Sequence, residues 1–346
     1  MSGFIQFWPV LPRVTASLAA LDLQAPEVPE FAMEFMPKDP GNFRDGLMEL
    51  LRDALLSLRP DLKEGMGVCL GVIALVMMVS MLQSFPGSRI HVLELSGAVA
   101  VGILLLDSSN SMIHMARQVI TEMNEYGKLL LPVMATALAA QGGVSSSAAL
   151  YAGTMLFNSL LTGLIIRWLI PMLYLFLALA LSLAATGEAL LANLVESIKR
   201  IMTWILRTIL YIFTGYMGIT GVISGTTDAA ALKAAKLTIS SVVPVVGGIL
   251  SDASEAVLVG AGTVKNAAGL YGLFAVLAIG ISPFLKIGVQ YLLLKGTAAL
   301  CATFGNKRIT QMVDRFSSAM GFSLAMSGAV CLILLISTIC FMKGTL

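Results

Sequence analysis

Long apolar stretches, each close to the length of a membrane-crossing helix, recur along the chain from residue 66 onward. A helix needs about 20 predominantly apolar residues to cross a bilayer, and backbone groups inside lipid must be hydrogen-bonded within the chain. The candidate spans are 66–84, 95–113, 148–166, 168–186, 201–225, 257–280, 282–300 and 319–342. The pattern therefore predicts an all-α fold, a polytopic transmembrane helix bundle of about eight spans.

Proline and glycine complicate this pattern in three places. The run 148–186 contains Arg167 and Pro171 but no good turn residue, so one long kinked helix is the alternative to two spans. The shorter stretches 129–141 and 242–250 also contain proline and are too short to cross a membrane alone. We expect these two to be re-entrant or broken segments.

Residues 1–65 differ from the rest, because they hold ten acidic and six basic residues and several prolines. Asn42 can cap a helix over 43–58, whose apolar side chains fall on one face. Because the charges of this helix are mixed rather than basic, packing on its own domain is favoured over binding to a membrane surface. The predicted organisation is an N-terminal extramembrane region, 1–65, followed by a multi-pass membrane domain, 66–346.

The composition supports a membrane protein and argues against other classes. Only 12% of residues are charged, against about 25% in soluble domains, and the mean hydropathy is +0.88. The net charge of +2 includes no basic tract, so no nucleic acid is expected as a partner. The four cysteines lack CxxC spacing, and the sequence contains no HExxH, Walker A or GxSxG motif. We expect no enzymatic activity, no cofactor and no metal site.

Basic residues suggest an orientation. Segments 301–318 and 226–241 carry lysine and arginine and are assigned to the cytoplasm. With eight spans, both termini then lie outside.

An internal repeat is a further hypothesis. Pro132 and Pro244 are 112 residues apart, as are Pro171 and Pro283. Many transporters consist of duplicated halves with broken helices near the membrane midplane. The corresponding pseudo-repeats would be about 115–225 and 227–337, with chance alignment of apolar sequence as the alternative.

The candidate functional residues lie between 228 and 266, where charges, prolines and glycines interrupt apolar sequence. Charged groups at membrane depth are costly and usually face a bundle interior or an aqueous cavity. This stretch therefore suggests a polar path or gate, unless it is a loop and interfacial helix with solvated charges. The candidate residues are Asp228, Lys233, Lys236, Pro244, Gly247, Gly248, Asp252, Glu255, Lys265 and Asn266.

Three segments resemble a known family. The segment LKAAKLTISSVVPVVGGILSDASEAVLVGAGTVKNAAG (232–269) is similar to the signature region of stage III sporulation protein AE. NKRITQMVDRFSSAMGFSLAM (306–326) and LLLPVMATALAAQGGVSSSAAL (129–150) resemble the same family. The likeness extends from about residue 125 to the C-terminus.

The resemblance implies a multi-pass protein of endospore-forming bacteria in the mother-cell membrane around the forespore. It implies partners among the other stage III sporulation A proteins, including a secretion-ATPase-like subunit and ring-forming subunits. It supplies no catalytic residues. The leading hypothesis is a permease-like component of a mother-cell-to-forespore channel or secretion complex. A non-conducting membrane scaffold and an independent secondary transporter are the alternatives.

Overall fold

The computed structural model describes residues 28–37, 43–83, 90–140, 144–242, 247–304 and 307–343, and for 220–242 and 247–267 it describes the backbone only. Within these ranges the protein consists of helices and short turns, with no strand. The helices are α1 (Glu30–Met33), α2 (Phe43–Ser57), α3 (Arg59–Gln83), α4 (Ile90–Ala140), α5 (Val144–Leu164), a π-helical turn (Ile165–Leu169), α6 (Ile170–Thr186), α7 (Ala189–Val242), α8 (Gly247–Ala302) and α9 (Lys307–Lys343). The all-α fold is therefore confirmed.

Close contacts between helices fix their directions. Gly97 of α4 packs on Val79 of α3, and Gly71 packs on Leu104, so α3 and α4 are antiparallel. Asn110 bonds to Tyr174 and Asn124 to Asn158, so the continuous helix formed by α5, the π-helical turn and α6 also runs antiparallel to α4.

The remaining long helices continue this alternation. Gly153 of α5 packs on Tyr216 of α7, and Phe157 packs on Phe213, so α5 and α7 are antiparallel. Helices α8 and α9 form the most extensive contact and are also antiparallel, as Gly280 lies against Cys331 and Lys295 against Asp314. The long helices thus form an up-and-down bundle.

Five helical segments are long and apolar enough to cross a membrane, among the residues that the structure describes. They are Arg59–Gln83, Val92–Ala140, Ser147–Thr186, Ala268–Ala302 and Lys307–Met342. The predicted count of about eight spans is not confirmed. Both 148–166 and 168–186 fall in the single run Ser147–Thr186, and both 257–280 and 282–300 fall in α8.

The prediction of a broken or re-entrant segment at 129–141 is wrong for residues 129–140, because they form the last turns of the continuous helix α4. Pro132 lies inside α4 and Pro283 inside α8. Buried helices tolerate such prolines, since neighbouring helices and side chains satisfy the freed backbone groups. Of the other segment, 242–250, residues 243–246 lie outside the described residues.

The N-terminal helices pack on the bundle. Leu50 and Ala54 of α2 are fully buried, and a Cβ on Gly46 would lie 2.7 Å from the ring of Phe274 in α8. Helix α2 therefore packs on α8, which belongs to the region predicted as the membrane domain. The division at residue 65 and the two pseudo-repeats stay predictions.

Candidate functional site

The sequence-predicted polar residues lie on both sides of the connection between α7 and α8. Asp228, Lys233 and Lys236 belong to the second half of α7. Gly247, Gly248, Asp252, Glu255, Lys265 and Asn266 belong to the first half of α8, and Pro244 lies outside the described residues. Both stretches have a helical backbone, and their side-chain contacts are outside the described part of the chain. Their role as a path or gate stays a prediction.

A buried polar seam joins α4, α5 and α9 in the interior of the bundle. Asn158 donates its side-chain N–H to the amide oxygen of Asn124 at 3.0 Å, and Thr154 donates to the hydroxyl of Ser337 at 2.9 Å. Thr154 and Asn158 are one helical turn apart, and all four side chains are at most 9% exposed. In an apolar interior each such bond contributes about 0.6 to 2 kcal/mol to helix association. The seam therefore fixes the register of these three helices.

A glycine allows the close approach that the seam requires. A Cβ on Gly127 of α4 would lie 2.8 Å from the Cδ2 atom of Leu334 and 3.3 Å from the amide nitrogen of Asn158. Small residues at such crossings let helix backbones approach each other. Gly127 thereby brings α4 close to α5 and α9 at the level of the seam.

A second polar layer joins α3, α4 and α8. Lys286 forms an ion pair with Asp61, with 3.1 Å between Nζ and Oδ2, and both side chains are about a quarter exposed. One turn further along α8, Gln290 donates to the hydroxyl of Ser108 at 2.9 Å. Asp107, next to Ser108, is exposed. We call this set the Asp61 layer.

Ion pairs also mark the end of the bundle where α4 and α9 begin. Arg308 pairs with Glu94 at 3.3 Å, and Lys295 pairs with Asp314 at 2.5 Å. The guanidinium of Arg308 lies against Gly187, which ends α6 in a left-handed conformation with φ of 76°. A side chain there would be strained by the backbone and would meet Arg308.

The outward face of α4 carries a long row of polar side chains that the sequence analysis did not identify. The exposed polar residues are Asp107, Asn110, Ser111, His114, Arg117, Gln118, Thr121, Glu125 and Lys128. We call this row the α4 stripe. It spans 22 residues, about 32 Å at 1.5 Å per residue.

A sequence signal for the stripe does exist. Between the polar residues, the apolar positions Ile113, Val119, Ile120, Met123 and Leu130 recur at helical spacing, and all are buried. The 3.6-residue period could have identified an amphipathic helix here. Uniformly apolar runs do not reveal it, because polar residues interrupt the apolar sequence of α4 from Asp107 onward.

The π-helical turn lies opposite the middle of the α4 stripe. The pairs Asn110–Tyr174 and Asn124–Asn158 bracket residues 165–169 in the antiparallel register. The turn contains Arg167, which is exposed. Single π-helical turns within α-helices are frequent at functional sites.

The described ranges contain no cluster of candidate metal ligands. No group of three or more His, Cys, Asp or Glu side chains there could hold a metal ion. No disulfide joins the four cysteines, which all lie in the described ranges.

The five long apolar segments among the described residues define the class of the protein, an all-helical protein with several candidate membrane-crossing helices. The family of stage III sporulation protein AE matches residues 38–344, and the chain belongs to this family. Among curated proteins, the chain is similar to stage III sporulation protein AE of Bacillus subtilis (strain 168), with 26% identity over 246 residues. That alignment covers 70% of this chain and 61% of the relative, so the chain spans less than two thirds of the relative's length. No solved structure matches the chain.

Proposed function

We propose that the protein is a membrane-embedded, permease-like component of a channel or secretion complex that endospore formation requires. Family membership supports the role in sporulation. The observation that carries the transport role is the placement of polar side chains along and inside a bundle of long apolar helices, because polar groups at membrane depth commonly mark pathways.

The proposed setting is the mother-cell membrane around the forespore. The proposed partners are other stage III sporulation A proteins, including a secretion-ATPase-like subunit and ring-forming subunits. An energy-supplying partner fits a sequence without a Walker A motif.

Within this function, the residues between 228 and 266 are proposed to form part of the path or gate. The test replaces Asp252, Glu255 or Lys265 with alanine and measures heat-resistant spores together with co-purification of the complex. Loss of spores with an intact complex supports the proposal. Ser251→Ala and Ser254→Ala, in the same part of α8, are the matched controls and should sporulate normally.

The two alternatives predict different results. A non-conducting scaffold tolerates each single replacement and fails only when truncation disrupts assembly. An independent secondary transporter catalyses solute uptake when the purified protein alone is reconstituted in liposomes.

A further inference from the structure

The outward face of α7 alternates basic and aromatic side chains. Arg200, Trp204, Arg207 and Tyr211 follow one another at helical spacing, which places them on one face of the helix. All four are exposed, and the exposed fractions of Trp204 and Tyr211 are 66% and 73%. No described helix therefore covers this face of α7.

The π-helical turn places a second arginine and tryptophan at the same level. Arg167 and Trp168 are both exposed, and Trp168 is 65% exposed. The rings of Phe157 in α5 and Phe213 in α7 pack with their centroids 5.6 Å apart, and the two helices are antiparallel. Arg167 follows Phe157 and Trp204 precedes Phe213 by a similar number of residues, so both lie about 15 Å from this contact in the same direction.

We call this surface the Arg–Trp patch. It consists of Arg167, Trp168, Arg200, Trp204, Arg207 and Tyr211.

The arginines of the patch have few acidic neighbours along their own helices. The sequence contains no Asp or Glu in 144–187 or in 197–227. Glu196, just before the second stretch, interacts electrostatically with Arg315 of α9. None of the ion pairs among the described residues involves an arginine of the patch. The patch therefore presents three guanidinium groups to an anionic ligand outside the protein.

Apolar side chains surround these charges. Ile201 and Ile212 of α7 and Leu160 and Leu175 on the neighbouring helix are exposed on both sides of the patch. Tryptophan and tyrosine are enriched where membrane and water meet, because their rings combine an apolar body with a polar group. Guanidinium groups bind phosphate through two parallel hydrogen bonds. This combination favours a phospholipid over an acidic protein as the ligand.

We propose that the Arg–Trp patch binds the headgroups of anionic phospholipids, and that the surface of the membrane meets α5, α6 and α7 at the level of the π-helical turn. The arginines bind the lipid phosphates, and the indole rings lie beside them at the depth of the glycerol backbone. The proposal does not depend on the proposed transport role.

A first measurement locates the two tryptophans relative to the lipid. The full chain with Trp8→Phe is reconstituted in vesicles of phosphatidylcholine and phosphatidylglycerol, and Trp168→Phe or Trp204→Phe leaves a single tryptophan. The lipids carry bromine atoms, which quench indole fluorescence on contact, either near the glycerol backbone or near the ends of the acyl chains.

We expect bromines near the glycerol backbone to quench both tryptophans more strongly. Stronger quenching from the chain ends would place the patch in hydrocarbon and overturn the proposal. Absence of quenching by either lipid would assign the face to water or to an acidic protein, and would overturn it as well.

A second measurement tests the preference for anionic headgroups. Bromine is carried either by phosphatidylglycerol or by phosphatidylcholine, in vesicles with the same proportions of the two lipids. We expect brominated phosphatidylglycerol to quench Trp204 at least about twofold more, because an anionic lipid surface attracts each nearby arginine. Added salt should reduce this preference, since it screens the attraction. Equal quenching by the two lipids would mean ordinary lipid contact without headgroup binding, which contradicts the proposal.

Variants separate the charge of the patch from its packing. Arg167→Gln together with Arg207→Gln should abolish the preference for phosphatidylglycerol, whereas Arg167→Lys with Arg207→Lys should retain most of it. Lys128→Gln, on the α4 stripe, is the matched control and should leave the preference unchanged. A preference that survives in the glutamine variant overturns the assignment to these arginines. If that variant is not recovered, the salt series on the unaltered chain still decides.

Discussion

The outward face of α4 changes character along its length. Up to Leu106 it exposes Leu95, Val99 and Ile103, whereas from Asp107 to Lys128 it exposes the polar stripe. The inward face shows no such change, because Val101, Leu105, Ile113 and Ile120 are all buried. The packing of a helix in its bundle therefore does not reveal its surroundings. The outward residues differ along α4, and they divide it into a half with an apolar surface and a half with a polar surface.

The largest expected effect comes from placing a charge on each half. Val99→Asp puts a carboxylate on the apolar half, at a cost of about 2.5 to 3.5 kcal/mol near the centre of a span. We expect a severalfold fall in the amount of protein recovered from membranes. Ser111→Asp, on the stripe, is the control and should leave the amount unchanged. Equal losses in the two variants would contradict the division of α4 into two halves.

The next effect concerns the contact between α3 and the apolar half of α4. A Cβ on Gly97 would lie 2.7 Å from the Cγ2 atom of Val79, so Gly97→Ala should destabilise the protein by about 1 to 3 kcal/mol. Gly67, on α3, has no atom within 4 Å of the added Cβ, so Gly67→Ala should be neutral or slightly stabilising. Thermal unfolding in detergent measures both. A stable Gly97→Ala variant would mean that α3 does not pack on α4 here.

A smaller effect tests the buried seam behind the polar half. Asn158→Leu removes the bond to Asn124 and leaves that amide buried without its partner, which should cost about 1 to 2 kcal/mol. Asn110→Leu, which loses an exposed bond to Tyr174, should cost less. In the double variant with Asn124→Leu, part of the stability should return. Strictly additive losses would show that the two asparagines do not interact.

The smallest effect concerns the boundary between the halves. Lys286→Gln breaks the ion pair with Asp61, and because both groups are partly exposed the loss should be about 1 kcal/mol. Exchanging the charges, with Asp61→Lys and Lys286→Asp together, should restore most of it. Lys128→Gln, whose pair with Glu125 is exposed on the stripe, should cost only a few tenths. An exchange that restores nothing would argue against the pairing.

The sequence was sufficient for the class and the family, because hydropathy and a distinctive block of residues are local properties. Span boundaries were not predictable in the same way. The spans 257–280 and 282–300 were predicted as separate, yet α8 runs through both of them and through Pro283. Whether a proline ends a helix depends on the neighbours that satisfy the freed carbonyl groups, and these neighbours are distant in sequence.

The hydrogen bonds of the buried seam likewise could not be predicted from the sequence. Asn124 and Asn158 are 34 residues apart, and Thr154 and Ser337 are 183 apart, so nothing local connects them. A single asparagine in an apolar run predicts only that it needs a partner. By contrast, the stripe on α4 is predictable from the sequence, because buried apolar residues recur there with the helical period.

The length of the helices has a practical consequence for imaging. Helix α8 has 56 residues, about 84 Å, whereas the hydrocarbon of a bilayer is about 30 Å thick. A detergent micelle around the protein would therefore cover less than half of this helix. More than half of α8 would then extend beyond the micelle, so single particles should be longer along the helix axis than the micelle is thick.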